Sequence, residues 1–303
     1  MVNASALRSV GFWSLTLAEG REFNTGGLTN INNSQFNVRS GVAWGTSTGD
    51  VLATAYSTTG YRYVNFAVFT AANAGSVLDL SSLQSLNFGW DDQDGTAYAS
   101  TVSATDNGRV DLSSVMRITS PARAEDRLDF VQTTGGLINL GALATIDGGG
   151  RTRFFARDGL DYNLPSLTAA RGLEFDLGAG SSFTASSLAS LTFTTVAITA
   201  DRVLTFGGLT NIDNSQFLLS GGGAWGGGQI LATAYSTTGY RYGNFAYFSA
   251  SGAGSVLNAS TIQSINAGWN DQDGTVYAGN VNASLGGVLN LSGLRSVITP
   301  ARG

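Results

Sequence analysis

Apolar positions recur along this chain in a fixed local pattern, plainest in VLDLSSLQSL (Val77 to Leu86), RVDLSSVMRI (Arg109 to Ile118) and VLNLSGLRSV (Val288 to Val297). The central residue of each can be treated as an anchor. Around the anchor Ala185, apolar side chains stand two before, three after, six after, eleven after and thirteen after, at Phe183, Leu188, Leu191, Val196 and Ile198. A separation of two is strand alternation, and the break in phase just past the anchor is a corner. Small residues fill that corner, as at Ser81-Ser82, Ser113-Ser114, Gly141-Ala142 and Gly207-Gly208, where bulk would clash and glycine or serine allow tight turning.

Three short strands per unit, each turning the same way, would wind the chain into coils stacked about 4.8 Å apart. Anchors are read at Ala4, Thr25, Ala53, Leu80, Leu112, Leu140, Leu164, Ala185, Phe206, Ala232, Ala259 and Leu291, at spacings between 21 and 32 residues. The fold class this implies is all-β. It is a single parallel β-solenoid, right-handed from its unit length, of about 12 coils with loop insertions. A leucine-rich-repeat horseshoe is the rival architecture, but Thr192 to Thr199 (TFTTVAIT) is β-branched strand material where that fold would place a helix.

A second, longer repeat overlies the first. LATAYSTTGYRY at Leu52 to Tyr63 returns unchanged at Leu231 to Tyr242, DQDGT at Asp92 returns at Asp271, and PAR at Pro121 returns at Pro300. The duplication therefore joins residues 26–123 to 207–302 through plain coils at 124–206, all within one continuous solenoid over 1–303. Two residues are lost between the copies in the glycine loop near Trp225. The pattern starts and stops in mid-coil, which reads as a segment of a longer secreted chain, with end-to-end stacking of short chains as the alternative.

In LDLSSLQSL and NLPSLTAARGLEFDLGAGSSFTASSLASLTF the chain resembles the β-strand repeats of very large bacterial surface proteins of the parallel β-helix and filamentous-adhesin kind. The likeness covers nearly the whole chain through a degenerate motif. It implies an extracellular or cell-surface stalk or adhesin segment and transfers no functional residue.

Coils longer than 21 residues must push their surplus outward. In one coil the surplus is Ser57 to Tyr63 (STTGYRY), and in the next it is Gly89 to Gly95 (GWDDQDG). Similar phase puts the two loops at one corner, gathering Tyr61, Arg62, Tyr63, Trp90, Asp91, Asp92 and Asp94 into a patch. The duplication rebuilds it from Tyr240, Arg241, Tyr242, Trp269, Asn270, Asp271 and Asp273, about 34 Å away at the strand spacing. Aromatic faces beside a guanidinium and carboxylates suit a sugar, whose ring stacks while its hydroxyls bond Arg and Asp. The rival view has the same rings anchoring the loops, with Arg62 paired to Asp92. Calcium is a weaker reading of Asp92-Gln93-Asp94-Gly95, because Trp90 stands where a further acid belongs and no bidentate Glu follows. Asp79, Asp111, Asn139 and Asn163, each one before an anchor, should align on successive coils, where the two carboxylates repel unless a cation or a protonation change intervenes; an amide ladder with solvated ends is the preferred reading. Trp44 and Trp225 fall in glycine loops at another corner and are expected to pack against the side of the coil.

Composition narrows the chemistry. Of 303 residues 41 are glycine, none is cysteine or histidine, and all 16 basic residues are arginine. Disulfides, thiolate and imidazole metal ligands, Ser-His catalysis and lysine Schiff bases are thereby excluded, and no cofactor is implied. A net charge of -5 argues against nucleic acid, and no run of about 18 apolar residues offers membrane insertion. The expected partners are a cell-surface glycan bound by the two patches or end-to-end neighbours of the same solenoid. The expected function is non-enzymatic. A polysaccharide-degrading β-helix enzyme is the alternative, strained because only carboxylates or arginine could serve as base. Ice binding ranks last, since the outward row Gly11, Asn32, Asn87, Asp147, Arg171, Thr192, Asp213 and Asn266 forms no threonine array.

Overall fold

A computed structural model describes residues 1–58, 60, 64–91, 93–225, 229–237, 245–267 and 278–299. Its regular structure is all strand, with no helix among the described residues. The chain divides into two compact units, Met1–Leu167 with Asp176–Ser182, and Thr168–Phe175 with Phe183–Gly303. Strand pairing is spread over several separate sheets, and within each unit the stacking is solenoid-like.

In the first unit a long sheet is built from Ser14–Leu17, Gln35–Arg39, Phe66–Ala72, Ala99–Thr105, Arg127–Gln132 and Arg151–Ala156, in that order. A second sheet carries the strands before each corner, Ala43–Gly45, Val77–Asp79, Arg109–Asp111 and Leu137–Asn139. A third carries those after it, Ala55–Ser57, Ser85–Asn87, Arg117–Thr119 and Thr145–Asp147. Neighbouring strands are parallel, and the short ladders before and after the corner stay in register. Leu78, Val110 and Ile138 pair in a row, as do Leu86, Ile118 and Ile146. Those partners lie 32 and 28 residues apart, the anchor spacings from Leu80 to Leu112 to Leu140, so length variation is absorbed in loops and the ladder is undisturbed.

The corner follows from local hydrogen bonding. The N–H three past the anchor donates to the anchor carbonyl at 3.0 Å in Leu83 to Leu80, Val115 to Leu112, Leu143 to Leu140 and Leu188 to Ala185, a four-residue turn. The Asp or Asn before the anchor closes the same turn from outside. Its Oδ1 accepts the N–H two residues on, at 2.9 Å from Ser81 to Asp79, 3.0 Å from Ser113 to Asp111 and 3.2 Å from Gly141 to Asn139. This Asx geometry is why those positions are Asp or Asn. Asp79, Asp111 and Asn139 do stand side by side on adjacent strands.

Inside, Leu80, Leu83, Leu112, Val115 and Leu143 are fully buried. Rings stack from coil to coil: Phe130 over Phe154 at 5.5 Å and, in the second unit, Phe217 over Phe248 at 5.8 Å, nearly parallel in both cases. The second unit repeats the scheme with Thr195–Ile198, Gln216–Ser220, Phe245–Ser251 and Gly279–Ser284 in one sheet, and three-stranded sheets before and after the corner. A bulge at Val68 recurs at Tyr247, each turning two consecutive residues inward, Val68 with Phe69 and Tyr247 with Phe248.

Two sequence expectations need correction. Tyr56 pairs with Leu86, which puts Ala53 level with Leu83, three past the anchor, and leaves Asp50 in the anchor place. Ala232 is displaced in the same way, with Gln229 in the anchor place, since Tyr235 pairs with Ile265. An apolar-anchor rule cannot find a polar anchor that is satisfied internally: Asp50 Oδ1 accepts the Thr25 N–H at 2.8 Å and Oδ2 the Thr48 hydroxyl at 2.6 Å. Trp44 and Trp225 are not on the side of the coil but in strands of the core, 2% and 6% exposed. The loop beside Trp44 begins at Gly45, whose φ of +131° and contact with the Asp79 carbonyl leave no room for a Cβ.

Candidate functional site

The strands after the corner feed loops that leave and rejoin the ladder side by side. Ser57 pairs with Asn87 and Phe66 with Ser100, so the loops at 58–65 and 88–99 have adjacent feet. The Thr58 N–H donates to the Asn87 carbonyl at 2.8 Å, and the Ala99 N–H to Asn65 Oδ1 at 2.9 Å. The third loop, at 120–126, stands next in line because Thr119 pairs with Asn87 and Arg127 with Ala99. In the second unit Ser236 pairs with Asn266 and Phe245 with Gly279.

Among the proposed site residues, Trp90 and Asp94 are described. Tyr61, Arg62, Tyr63, Asp92, Tyr240, Arg241, Tyr242, Trp269, Asp271 and Asp273 lie outside the described residues, as does the expected pairing of Arg62 with Asp92. Trp90 is 1% exposed, with its Nε1 donating to Ser100 Oγ at 3.2 Å. Its ring is therefore closed to a stacking sugar, and it pins the loop to the long sheet. Asp94 is exposed and shapes the loop tip, with Oδ1 accepting the Thr96 N–H at 2.7 Å and Oδ2 the Tyr98 hydroxyl at 3.1 Å. Tyr98 is partly exposed, 6.5 Å from Trp90 between centroids.

Sequence reasoning missed Arg123. Its Nε donates to Asp91 Oδ1 at 2.7 Å, tying neighbouring loops across coils. The hydrogen bond from Arg123 holds the Asp91 carboxyl below its ordinary range. The signal was available in the repeated Pro-Ala-Arg, which was used only to bound the duplication. In the second copy the position of Asp91 is Asn270.

Asp50 was missed as well. It borders a cavity of about 460 Å³ with Arg21, Glu22 and Asn24. Both its carboxylate oxygens are engaged by Thr25 and Thr48, so it fastens the loop at 46–49 to the preceding coil and is not free to act as a base. Among the described residues no group of three or more acidic side chains converges to hold a metal ion.

No protein-family model matches the chain, and no curated protein or solved structure shows significant similarity to it.

Proposed function

We propose that the coils of both units run on as one parallel β-solenoid, and that the chain serves as a non-enzymatic extracellular stalk or adhesin segment. Its loop edge is the surface offered to a glycan. The observation that supports this reading is the adjacency of the loop feet, Ser57 beside Asn87 and Phe66 beside Ser100, with Arg123 bridging to Asp91 on the preceding coil. Among the described residues such an edge brings together a guanidinium, two carboxylates and the Tyr98 hydroxyl, groups that suit sugar hydroxyls. The hydrogen bond from Arg123 holds the Asp91 carboxyl below its ordinary range, which speaks against Asp91 as a general acid.

The test is glycan-array binding of the wild type against Arg62→Ala and Asp94→Ala. Trp90→Ala is unsuited, because it would empty the core. Signal on neutral glycans that falls in both variants supports the reading; absence of wild-type signal, or signal that both variants retain, removes it.

A further inference from the structure

Two phenylalanines stand where the backbone does not suit them. Phe12 has a φ of +56° and Phe193 one of +54°, the left-handed region in which a bulky side chain is strained. Both fall eight residues past their anchors, and comparable coils fill that place with Asn33, Asn214 or Gly172, residues that accept a positive φ. Burial does not offset the strain, since Phe12 is 80% exposed and Phe193 42%. The duplication has nevertheless kept the ring while its neighbours changed. VGFWSLTL at Val10 to Leu17 corresponds to LTFTTVAI at Leu191 to Ile198, and Phe is the one letter they share. Strain held twice without a packing gain points to a contact outside the chain.

The groups beside the rings indicate the kind of contact. Register sets Ser9 beside Asn30 and Ser190 beside Asn211, so the next coil brings Asn30 and Asn32 alongside Phe12, and Asn211 and Asp213 alongside Phe193. In the first unit Asn32 Oδ1 accepts the Ser57 N–H at 2.7 Å and Asn30 Oδ1 the Asn32 N–H at 3.0 Å. In the second, Asp213 Oδ1 accepts the Ser236 N–H at 2.7 Å and Asn211 Oδ1 the Asp213 N–H at 3.1 Å. These bonds hold the side chains in place. Among the described residues they leave Nδ2 of Asn30, Asn32 and Asn211, and Oδ2 of Asp213, without a protein partner. Arg171, from the preceding coil of the second unit, lies over the Phe193 ring 3.4 Å from its centroid and steadies it. Ser57 is also the foot of the loop at 58–65, so the Phe12 ring stands two coils along the loop edge.

We propose that each of these phenylalanines is the stacking platform for one pyranose of a neutral β-linked glycan, whose hydroxyls are taken by the fixed amides and, in the second unit, by Asp213. The inference rests on the reading of this edge as glycan-facing and supplies the open ring that the buried Trp90 does not. A phenyl group offers a face and no hydrogen bond, so it suits a sugar with equatorial hydroxyls, whose C–H groups point to the faces of its ring. A sugar is favoured over an apolar protein surface because pre-set amides beside each ring match hydroxyls.

The experiment applies the intact chain to an array of neutral glycans that includes β-glucan and levan, a furanose polymer equally rich in hydroxyls. The wild type should bind β-glucan and not levan. Phe12→Asn with Phe193→Asn places at both sites a residue that the fold already accepts at Asn33 and Asn214, so it should keep or raise the melting temperature while lowering affinity at least about tenfold. Phe12→Trp with Phe193→Trp keeps a ring face and should keep binding. Unchanged binding by the Asn pair, equal signal on levan, neutral-glycan signal that leaves out β-glucan, or binding lost only together with a lower melting temperature would overturn the inference and leave the loop reading standing. Silence of the wild type on every neutral glycan would remove that reading, and this inference with it.

Discussion

Asp111 stands beside Asn139 on the neighbouring coil, and the Asn139 Nδ2 donates at 3.3 Å to the same Oδ1 that closes the Asp111 corner through Ser113. The second oxygen takes Arg109 Nη2 at 2.8 Å. One side chain thus couples a turn, a strand and the adjacent coil. Asp111→Ala, which strips all three donors of their acceptor, should lower stability by about 1–2 kcal/mol, whereas Asp111→Asn keeps the turn contact and should cost less than half as much. Denaturant midpoints of the three proteins measure the difference.

Asp79 gives the ladder a pH dependence. Burial by itself would raise its carboxyl, but the N–H donors of Ser81 and Ser47 outweigh that and hold it below the ordinary value. A carboxyl depressed in the folded state contributes stability that is fully present above the unfolded pKa of about 3.9 and is lost as pH falls through the folded value. Melting temperature should therefore drop more steeply with acid below about pH 4 in the wild type than in Asp79→Asn. Parallel acid profiles for the two proteins would contradict this.

Trp90 belongs to the core, and its truncation should show it. Trp90→Ala should destabilise the protein by about 3–5 kcal/mol, the range for emptying a large buried aromatic site. Ser100→Ala, which leaves the indole N–H without its acceptor, should cost about 1–3 kcal/mol. A ligand-facing tryptophan would instead give near-zero change in thermal or denaturant unfolding.

Restoring an apolar anchor at Asp50 should not help. Asp50→Leu matches the residue type of Leu80 and Leu112, yet it removes the acceptor of the buried Thr25 N–H and of the Thr48 hydroxyl. We expect a loss of about 1–3 kcal/mol on denaturant titration. A gain in stability would mean that the polar anchor has no structural role.

The sequence carried the repeat because its core positions are filled by residues with one environment: Leu80, Leu83 and Leu86 can only be read as inward. Corners were equally legible, since Ser or Gly after an Asp or Asn has a local hydrogen-bond cause. Polar exceptions were not. Asp50 hides because its partners, Thr25 and Thr48, are brought to it by the preceding coil and by an inserted loop. Trp90 and Trp44 were read as loop residues because Gly and Asp surround them, while the deciding contacts, Ser100 for Trp90 and the Phe23 carbonyl for Trp44 at 3.0 Å, come from strands distant in sequence. Arg123 escapes a reading of single loops because its partner, Asp91, stands in the loop of the preceding coil.

Cysteine cross-linking tests the register itself, and the absence of native cysteine makes the readout clean. Ser85 and Arg117 are direct partners 32 residues apart in sequence. Strands about 4.8 Å apart bring their Cα atoms within the range of about 4.4–6.8 Å that a disulfide spans. Oxidation of Ser85→Cys with Arg117→Cys should therefore give an intramolecular bond in high yield, while Ser81→Cys with Arg117→Cys should stay reduced. A bond in the shifted pair, or none in the matched one, would contradict coils stacked in this parallel register.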